Sequence, residues 1–338
     1  MQNEHTIIIG SGPCGLSTAL ALQNKGISPL LIEKGNVVNT IYDFPTHQTF
    51  FSSSDKLEIG NIPFITDLQS PVRSQALAYY RSVAQREKLR INAFEKVERI
   101  SQDADGFTLH TVKHNNQQFQ YTAKHLIVAT GYYDLPKYLD IPGEELSKVT
   151  HYFKEAHPYY NQNVVIIGGK NSAVDAALEL HKAGAKITVL YRGDAYPDAV
   201  KPWILPKFDA LVQKDIINMI FQAEITEITP NAVMYKVNGE IHSIPNDFVF
   251  AMTGYRPNMN LLTQLGVTID QLTNIPQYDD STMETNIDDC YIAGVVAAGD
   301  KNNAIFIETG KEHGEMIANA IVKKDNEAEF ASQSSTVE

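Results

Sequence analysis

Short apolar runs that break on glycine and lead into helical periodicity recur along this 338-residue chain. Thr6-Ile7-Ile8-Ile9-Gly10 is the first such run; a helical pattern follows from Leu16 to Asn24, and a second strand, Pro29-Leu30-Leu31-Ile32, ends on Glu33. The same succession returns at Asn163-Val164-Val165-Ile166-Ile167-Gly168, with a helix from Ala173 to Lys182 and a strand from Lys186 to Leu190 that ends on Tyr191-Arg192. Gly10 and Gly168 stand 158 positions apart, and the strand ends follow them by 23 and 24 positions. Strands without polar alternation are buried on both faces, and helices between them imply parallel, doubly wound sheets. The chain therefore reads as α/β, with two Rossmann-like dinucleotide-binding domains.

Two further segments match each other. His125-Leu126-Ile127-Val128-Ala129-Thr130-Gly131 and Asp247-Phe248-Val249-Phe250-Ala251-Met252-Thr253-Gly254 are both apolar strands running out into Thr-Gly. Each reads as the closing strand of its sheet. A third apolar strand, Cys290 to Val295, fits neither unit and is assigned to the first domain, which makes that domain discontinuous. The expected boundaries are 1–135 with 256–325 for the first domain and 136–255 for an inserted second domain. The stretch from Lys323 onward is polar without an apolar period, so 326–338 reads as a disordered tail.

Gly10-Ser11-Gly12-Pro13-Cys14-Gly15 is GxGxxG between a strand and a helix, the setting the motif requires. Gly10 permits the tight turn, Gly12 lets backbone approach a pyrophosphate, and Gly15 lets the helix sit close on the strand. The helix N-terminus then faces the anion. Glu33 can accept hydrogen bonds from ribose hydroxyls and would repel a 2′-phosphate, so this loop suits FAD or NAD and excludes NADP. The second loop, Gly168-Gly169-Lys170-Asn171-Ser172-Ala173, has Lys170 where the middle glycine would stand. Two readings of Lys170 stay open: a point charge for the pyrophosphate, or a solvent-facing side chain. Arg192 takes the place of Glu33, and its guanidinium matches the 2′-phosphate of NADPH; Lys201 can add a second cation. The candidate NADPH residues are Gly168, Gly169, Lys170, Asn171, Ser172, Tyr191, Arg192, Lys201 and Gly254.

Composition narrows the classes further. A net charge of −12 argues against nucleic acid as a partner. No apolar run approaches the ~20 residues that span a bilayer, and no export signal is visible at the N-terminus. The two cysteines, Cys14 and Cys290, form neither a CxxC nor a disulfide framework, and no metal site is read from ligand spacing. A reducing cytoplasm is the expected location.

The order GSGPCG, ATG, GGKNSA and TGYRPN, with a late strand before a helix, resembles the thioredoxin-reductase-like flavin disulfide reductases. The longer runs at 33–54 (EKGNVVNTIYDFPTHQTFFSSS), 151–160 (HYFKEAHPYY), 200–206 (VKPWILP) and 291–299 (YIAGVVAAG) are similar to the bacillithiol disulfide reductase family of low-GC Gram-positive bacteria. The resemblance implies a thioredoxin-reductase-like two-domain flavoprotein, an NADPH domain inserted in an FAD domain, and a homo-oligomer, dimer or tetramer. The FAD residues it suggests are Gly10, Gly12, Pro13, Cys14, Gly15, Glu33, Lys34, Thr40, His47, Gln48, Val97, Thr130, Gly131 and Ile307. A helix beginning near Ile307 is expected to aim its N-terminus at the flavin pyrimidine. Two departures stand out. Where thioredoxin reductases carry their CxxC, this chain has His151-Tyr152-Phe153-Lys154; where they carry an FAD-binding Asp, it has Val295, with Asp300 five residues later.

The chemistry so far is hydride transfer from nicotinamide to flavin N5. From the residues alone, Cys14 reads either as a small apolar spacer or as a thiol near the flavin. The resemblance implies the second: Cys14 attacks an oxidised low-molecular-weight thiol, and flavin electrons resolve the mixed disulfide. His47, His151 and His157 are candidates to protonate the leaving thiolate. Competing readings are a flavin monooxygenase, a ferredoxin or flavodoxin reductase, and a non-enzymatic redox-sensing flavoprotein.

Overall fold

The computed structural model describes residues 2–301 and 304–334. Its contacts divide the chain into two units. One comprises Met1–Asp43, His47–Leu135 and Arg256–Glu338; the other comprises Phe44–Thr46 and Pro136–Tyr255. In chain order the first unit opens with β1 (Gln2–Ile9), α1 (Pro13–Asn24), β2 (Leu30–Ile32), α2 (Asn39–Asp43), α3 (Arg73–Arg86), β3 (Arg90–Asn92), β4 (Glu95–Asp103), β5 (Gly106–Lys113) and β6 (Gln118–Val128). The second unit contributes β7 (Val149–Thr150), β8 (Asn163–Ile167), α4 (Asn171–Lys182), β9 (Lys186–Leu190), α5 (Leu205–Val212), β10 (Ile217–Ile220), β11 (Glu224–Ile228), β12 (Ala232–Val237), β13 (Glu240–Pro245) and β14 (Phe248–Ala251). The first unit is completed by β15 (Cys290–Ile292), α6 (Ile307–Gly310) and α7 (His313–Ser334).

In the first unit β3, β2, β1, β6 and β15 form parallel neighbours in that order. The long β6 serves two partners on one edge: its first half pairs antiparallel with β5, its last three residues parallel with β15. Ile7, Ile8, Leu31, Leu126 and Ile127 are buried because helices and loops cover both faces of the sheet. Helix α1 buries nearly its whole circumference, from Gly15 through Leu22, and packs against α7.

The second unit repeats the plan. Strands β10, β9, β8, β14 and β7 make a parallel sheet, while β11, β12 and β13 form a separate antiparallel meander. Ala173, Val174, Ala177 and Leu180 turn one face of α4 onto Ile166, Val189 and Phe250.

Two expectations need correction. The C-terminal stretch is helical through Ser334, so residues 326–334 are not a disordered tail; 335–338 lie outside the described residues. Ile317, Ala318 and Ile321 are wholly buried and anchor the helix, and the Lys-, Glu- and Ala-rich residues beyond them continue it by propensity. The strand expected from Cys290 to Val295 stops at Ile292, because Gly294 turns to φ +79° and opens a 3-10 segment, Gly294–Ala298.

Candidate functional site

Each unit builds its glycine loop in the same way. Gly10 has φ +106°, a conformation that L side chains rarely adopt, and a Cβ there would lie 2.5 Å from the Ala129 carbonyl oxygen. Gly168 has φ +139°, with its virtual Cβ 2.5 Å from the Met252 carbonyl oxygen. Each loop thus runs against the strand that ends in Thr-Gly. Backbone bonds close the junction: Gly10 N–H donates to Ile32 O and Gly168 N–H to Leu190 O, both at 2.9 Å. Gly15 is required by close approach, since a Cβ would fall 2.1 Å from Gly10 O.

Around the first loop the residues fit a dinucleotide. Nothing lies within 4 Å of a Cβ built on Gly12 or on Gly131, so the backbone there is open to a ligand. Gly12 is the N-cap of α1 and Pro13 its first residue, leaving free N–H groups at the positive helix end. Thr130 Oγ1 is buried and has no partner among the described residues. A bound polar group would satisfy it, and leaving it unmet costs ~1–3 kcal/mol. Glu33, a buried carboxylate, braces the turn: Oε2 accepts from Ser11 N–H at 2.8 Å and Oε1 from Gly35 N–H at 2.8 Å. Oε2 also accepts from Ser11 Oγ at 3.3 Å, whereas Oε1 keeps a further lone pair for a ribose hydroxyl.

The other residues suggested for FAD all belong to this unit. Lys34 pairs with Asp134, Val97 is buried in β4 and Thr40 lies in α2. His47 is exposed, and Gln48 Nε2 donates to Thr49 O at 2.8 Å. A helix does begin at Ile307, as expected; it is a single turn, Ile307–Gly310, and α7 starts at His313. Asp300 accepts from Asn274 Nδ2 at 2.9 Å and its N–H donates to Thr273 O, while Val295 lies in the 3-10 segment.

The second loop presents different chemistry on the same backbone. Lys170 is the exposed N-cap of α4. Asn171 ties the loop to the 199–201 segment, donating to Ala199 O at 2.8 Å and accepting from Lys201 N–H at 2.9 Å. The Tyr191 ring lies across Gly169 and Gly193, and a Cβ at either glycine would meet it at 2.4–2.6 Å. Ser172 and Arg192 are exposed, as the nucleotide reading requires, and Lys201 Nζ stands 5.7 Å from the Trp203 ring centroid. Nothing lies within 4 Å of a Cβ on Gly254, just as at Gly131.

Cys14 is enclosed. Virtual Cβ atoms on Gly294 and Gly310 would come within 2.8 and 2.9 Å of its Sγ, so these two glycines leave the room the sulfur occupies. Sequence reading found neither glycine, because nothing in the pattern links them to a cysteine some 280 positions earlier. Burial pushes the thiol up to about 12. Cys290 is fully buried in β15. Among the candidate acids, His151 is mostly buried, with Nε2 3.5 Å from Glu144 Oε1 and its ring edge-on to Tyr138; His157 is exposed. No helix among the described residues is long and apolar enough to cross a membrane.

Comparison with known proteins places this geometry among relatives. A family model described as pyridine nucleotide-disulphide oxidoreductase matches residues 7–294. A bacilliredoxin reductase, Bdr, of Bacillus subtilis is 54% identical over 328 residues, 96% of this chain and all of that one. The solved bacillithiol disulfide reductase of Bacillus cereus is 57% identical and superimposes with a TM-score of 0.94, covering 96% of this chain and 100% of that one. Its Staphylococcus aureus counterpart is 54% identical with a TM-score of 0.92, covering 96% and 99%.

Proposed function

The chain belongs to the pyridine nucleotide-disulphide oxidoreductase family, and we propose that it is an FAD enzyme that uses NADPH to reduce bacillithiol disulfide. FAD and a nicotinamide dinucleotide come with the family; with FAD bound, the cofactor accepts two electrons from the nicotinamide and delivers them to a disulfide. The observation that carries the reading is the paired loops, one closed by a buried carboxylate, the other by an exposed guanidinium. Gly10 to Gly15 and Glu33 hold FAD; Gly168 to Ser172, Arg192 and Lys201 hold NADPH. The net reaction is RSSR + NADPH + H⁺ → 2 RSH + NADP⁺. The site is cytoplasmic and the enzyme works as a homo-oligomer.

We assign the exchange step to Cys14. Its sulfur forms the mixed disulfide and its proton leaves with the first product thiol; two electrons and two protons, supplied as the NADPH hydride equivalent and one solvent proton, then split the S–S bond to restore Cys14–SH and release the second thiol. The enclosure of Sγ sets a condition on this step. Burial holds the thiol at about 12, so little thiolate is present near neutral pH and attack needs a base or a less buried sulfur. Among the candidate histidines, His151 is the one held beside a carboxylate, Glu144, whereas His47 and His157 are exposed. A second acceptor, a protein-bound mixed disulfide, is favoured by the name of the B. subtilis relative.

The test compares the unmutated enzyme with Cys14→Ala, measuring NADPH oxidation and thiol release with bacillithiol disulfide. Alanine keeps the loop geometry, so FAD stays bound and NADPH still bleaches it, while disulfide turnover falls at least 100-fold. If thiolate attack limits the rate, kcat/KM for the disulfide rises about tenfold per pH unit between pH 6 and 9. A Cys14→Ala enzyme at full rate removes Cys14 from the reaction, whereas a flat profile shows that thiolate attack does not limit it.

A further inference from the structure

Midway along β1, two imidazoles and a carboxylate converge from three elements: His5 on β1, His125 on β6 and Asp325 on α7. His5 Nε2 lies 3.0 Å from Asp325 Oδ2, and His125 Nε2 lies 3.1 Å from Asp325 Oδ1. Strands β1 and β6 are adjacent and parallel, with His125 opposite Thr6, and the two imidazole rings are tilted by 50° with centroids 5.1 Å apart. All three donor groups fall within 4.8 Å of one another.

The opposite ring nitrogens face polar groups. His125 Nδ1 stands 3.1 Å from Asp289 Oδ1, and His5 Nδ1 is 2.9 Å from Thr6 Oγ1. Such outer partners orient an imidazole and leave its other nitrogen to face a ligand. The site is graded in exposure: His125 is fully buried, Asp325 partly, and the His5 side chain is 42% exposed, which leaves room for water. Two ammonium groups stand beside it. Lys124 pairs with Asp325, and Lys324 pairs with Asp289 and Glu284.

We propose that His5, His125 and Asp325 bind a divalent cation of the zinc type, completed by water, which clamps α7 to the sheet edge. Two imidazoles and one carboxylate are a nitrogen-rich set that suits zinc and its neighbours and disfavours magnesium or calcium. Tetrahedral coordination at ~2.0–2.1 Å separates donors by about 3.3 Å; the two histidine–carboxylate spacings are already close to this, and the ligand atoms as a set, within 4.8 Å of one another, need side-chain adjustment to close on one ion. Lys124 sits on the carboxylate that the metal would take, and its long, half-exposed side chain can swing out. The site lies five residues back along the strand from Gly10, about 16 Å at ~3.3 Å per residue. The cation is therefore structural and not part of the redox chemistry.

The experiment uses untagged, FAD-loaded enzyme stripped with chelator and titrated with zinc chloride at pH 7.5 by calorimetry, with melting followed in parallel. One zinc per chain is expected, with Tm rising as the logarithm of zinc concentration. His5→Ala and Asp325→Asn, both at partly exposed positions, should each weaken binding at least tenfold. Lys124→Gln should tighten it several-fold by removing the competing cation. The last variant separates this proposal from a purely ionic latch, which gains nothing from losing Lys124. The proposal fails if no stoichiometric zinc binds, if His5→Ala or Asp325→Asn binds zinc like the unmutated enzyme, or if Lys124→Gln binds it more weakly.

Discussion

At Gly10 and at Gly168 one backbone solution is used twice. A left-handed glycine abuts the carbonyl that precedes a Thr-Gly pair, and its N–H closes onto the second strand. The loops diverge where side chains begin. The first keeps glycine at its third position and pulls Glu33 into the fold through Ser11 and Gly35; the second puts Lys170 at that position and leaves Arg192 in solvent. Even the paired threonines differ: Thr253 Oγ1 donates to Lys137 O, whereas Thr130 Oγ1 is buried without a partner among the described residues. On the proposed reading, the fold supplies the phosphate turn, while Glu33 and Arg192, just beyond the second strands, set which nucleotide fits. A buried, braced carboxylate suits a ligand that stays bound, and an exposed cation suits one that comes and goes.

Breaking the shared backbone should have the largest effect and should separate the two units. Gly10→Ala forces a Cβ against Ala129 O at a disfavoured φ, costing about 3 kcal/mol or more. Purified Gly10→Ala protein should lack the flavin absorbance. Gly168→Ala meets the same clash with Met252 O, yet should remain yellow while losing NADPH oxidation. Retention of flavin in the first variant, or its loss in the second, would break the assignment of loops to cofactors.

The nucleotide-selecting cation comes next. Arg192→Ala should raise KM for NADPH by roughly 10- to 150-fold, a charged contact of ~1.5–3 kcal/mol, and leave KM for NADH nearly unchanged. Parallel losses with both nucleotides would place Arg192 elsewhere. The smallest effect is expected from Lys170→Gly, which makes the second loop match the first. An exposed point charge near a pyrophosphate is worth about 1 kcal/mol or less, so KM should change no more than a few-fold, equally for NADPH and NADH. A selective effect on NADPH would mean that Lys170 reaches the 2′-phosphate.

Much of this was legible because the determinants are local. Glycine at fixed offsets after an apolar strand, and the charge at the second strand's end, are read without knowing any contact. The closing strands were legible for the same reason: both run into Thr-Gly and are too apolar to be exposed. What stayed hidden depends on distant segments. The enclosure of Cys14 by Gly294 and Gly310 reverses the thiol acidity that a helix N-terminus suggests. The convergence of His5, His125 and Asp325 joins residues up to 320 positions apart. The C-terminal helix misled because its exposed half carries no apolar stripe, although Ile317 and Ile321 fix its start.

The central claim is that electrons pass from NADPH on one loop, through FAD on the other, to a thiol disulfide. Anaerobic titration of the purified enzyme tests it most directly. One equivalent of NADPH per bound FAD should bleach the flavin, and one equivalent of bacillithiol disulfide should then restore the colour and release two thiols. A flavin that bleaches but stays reduced when the disulfide is added would contradict the account.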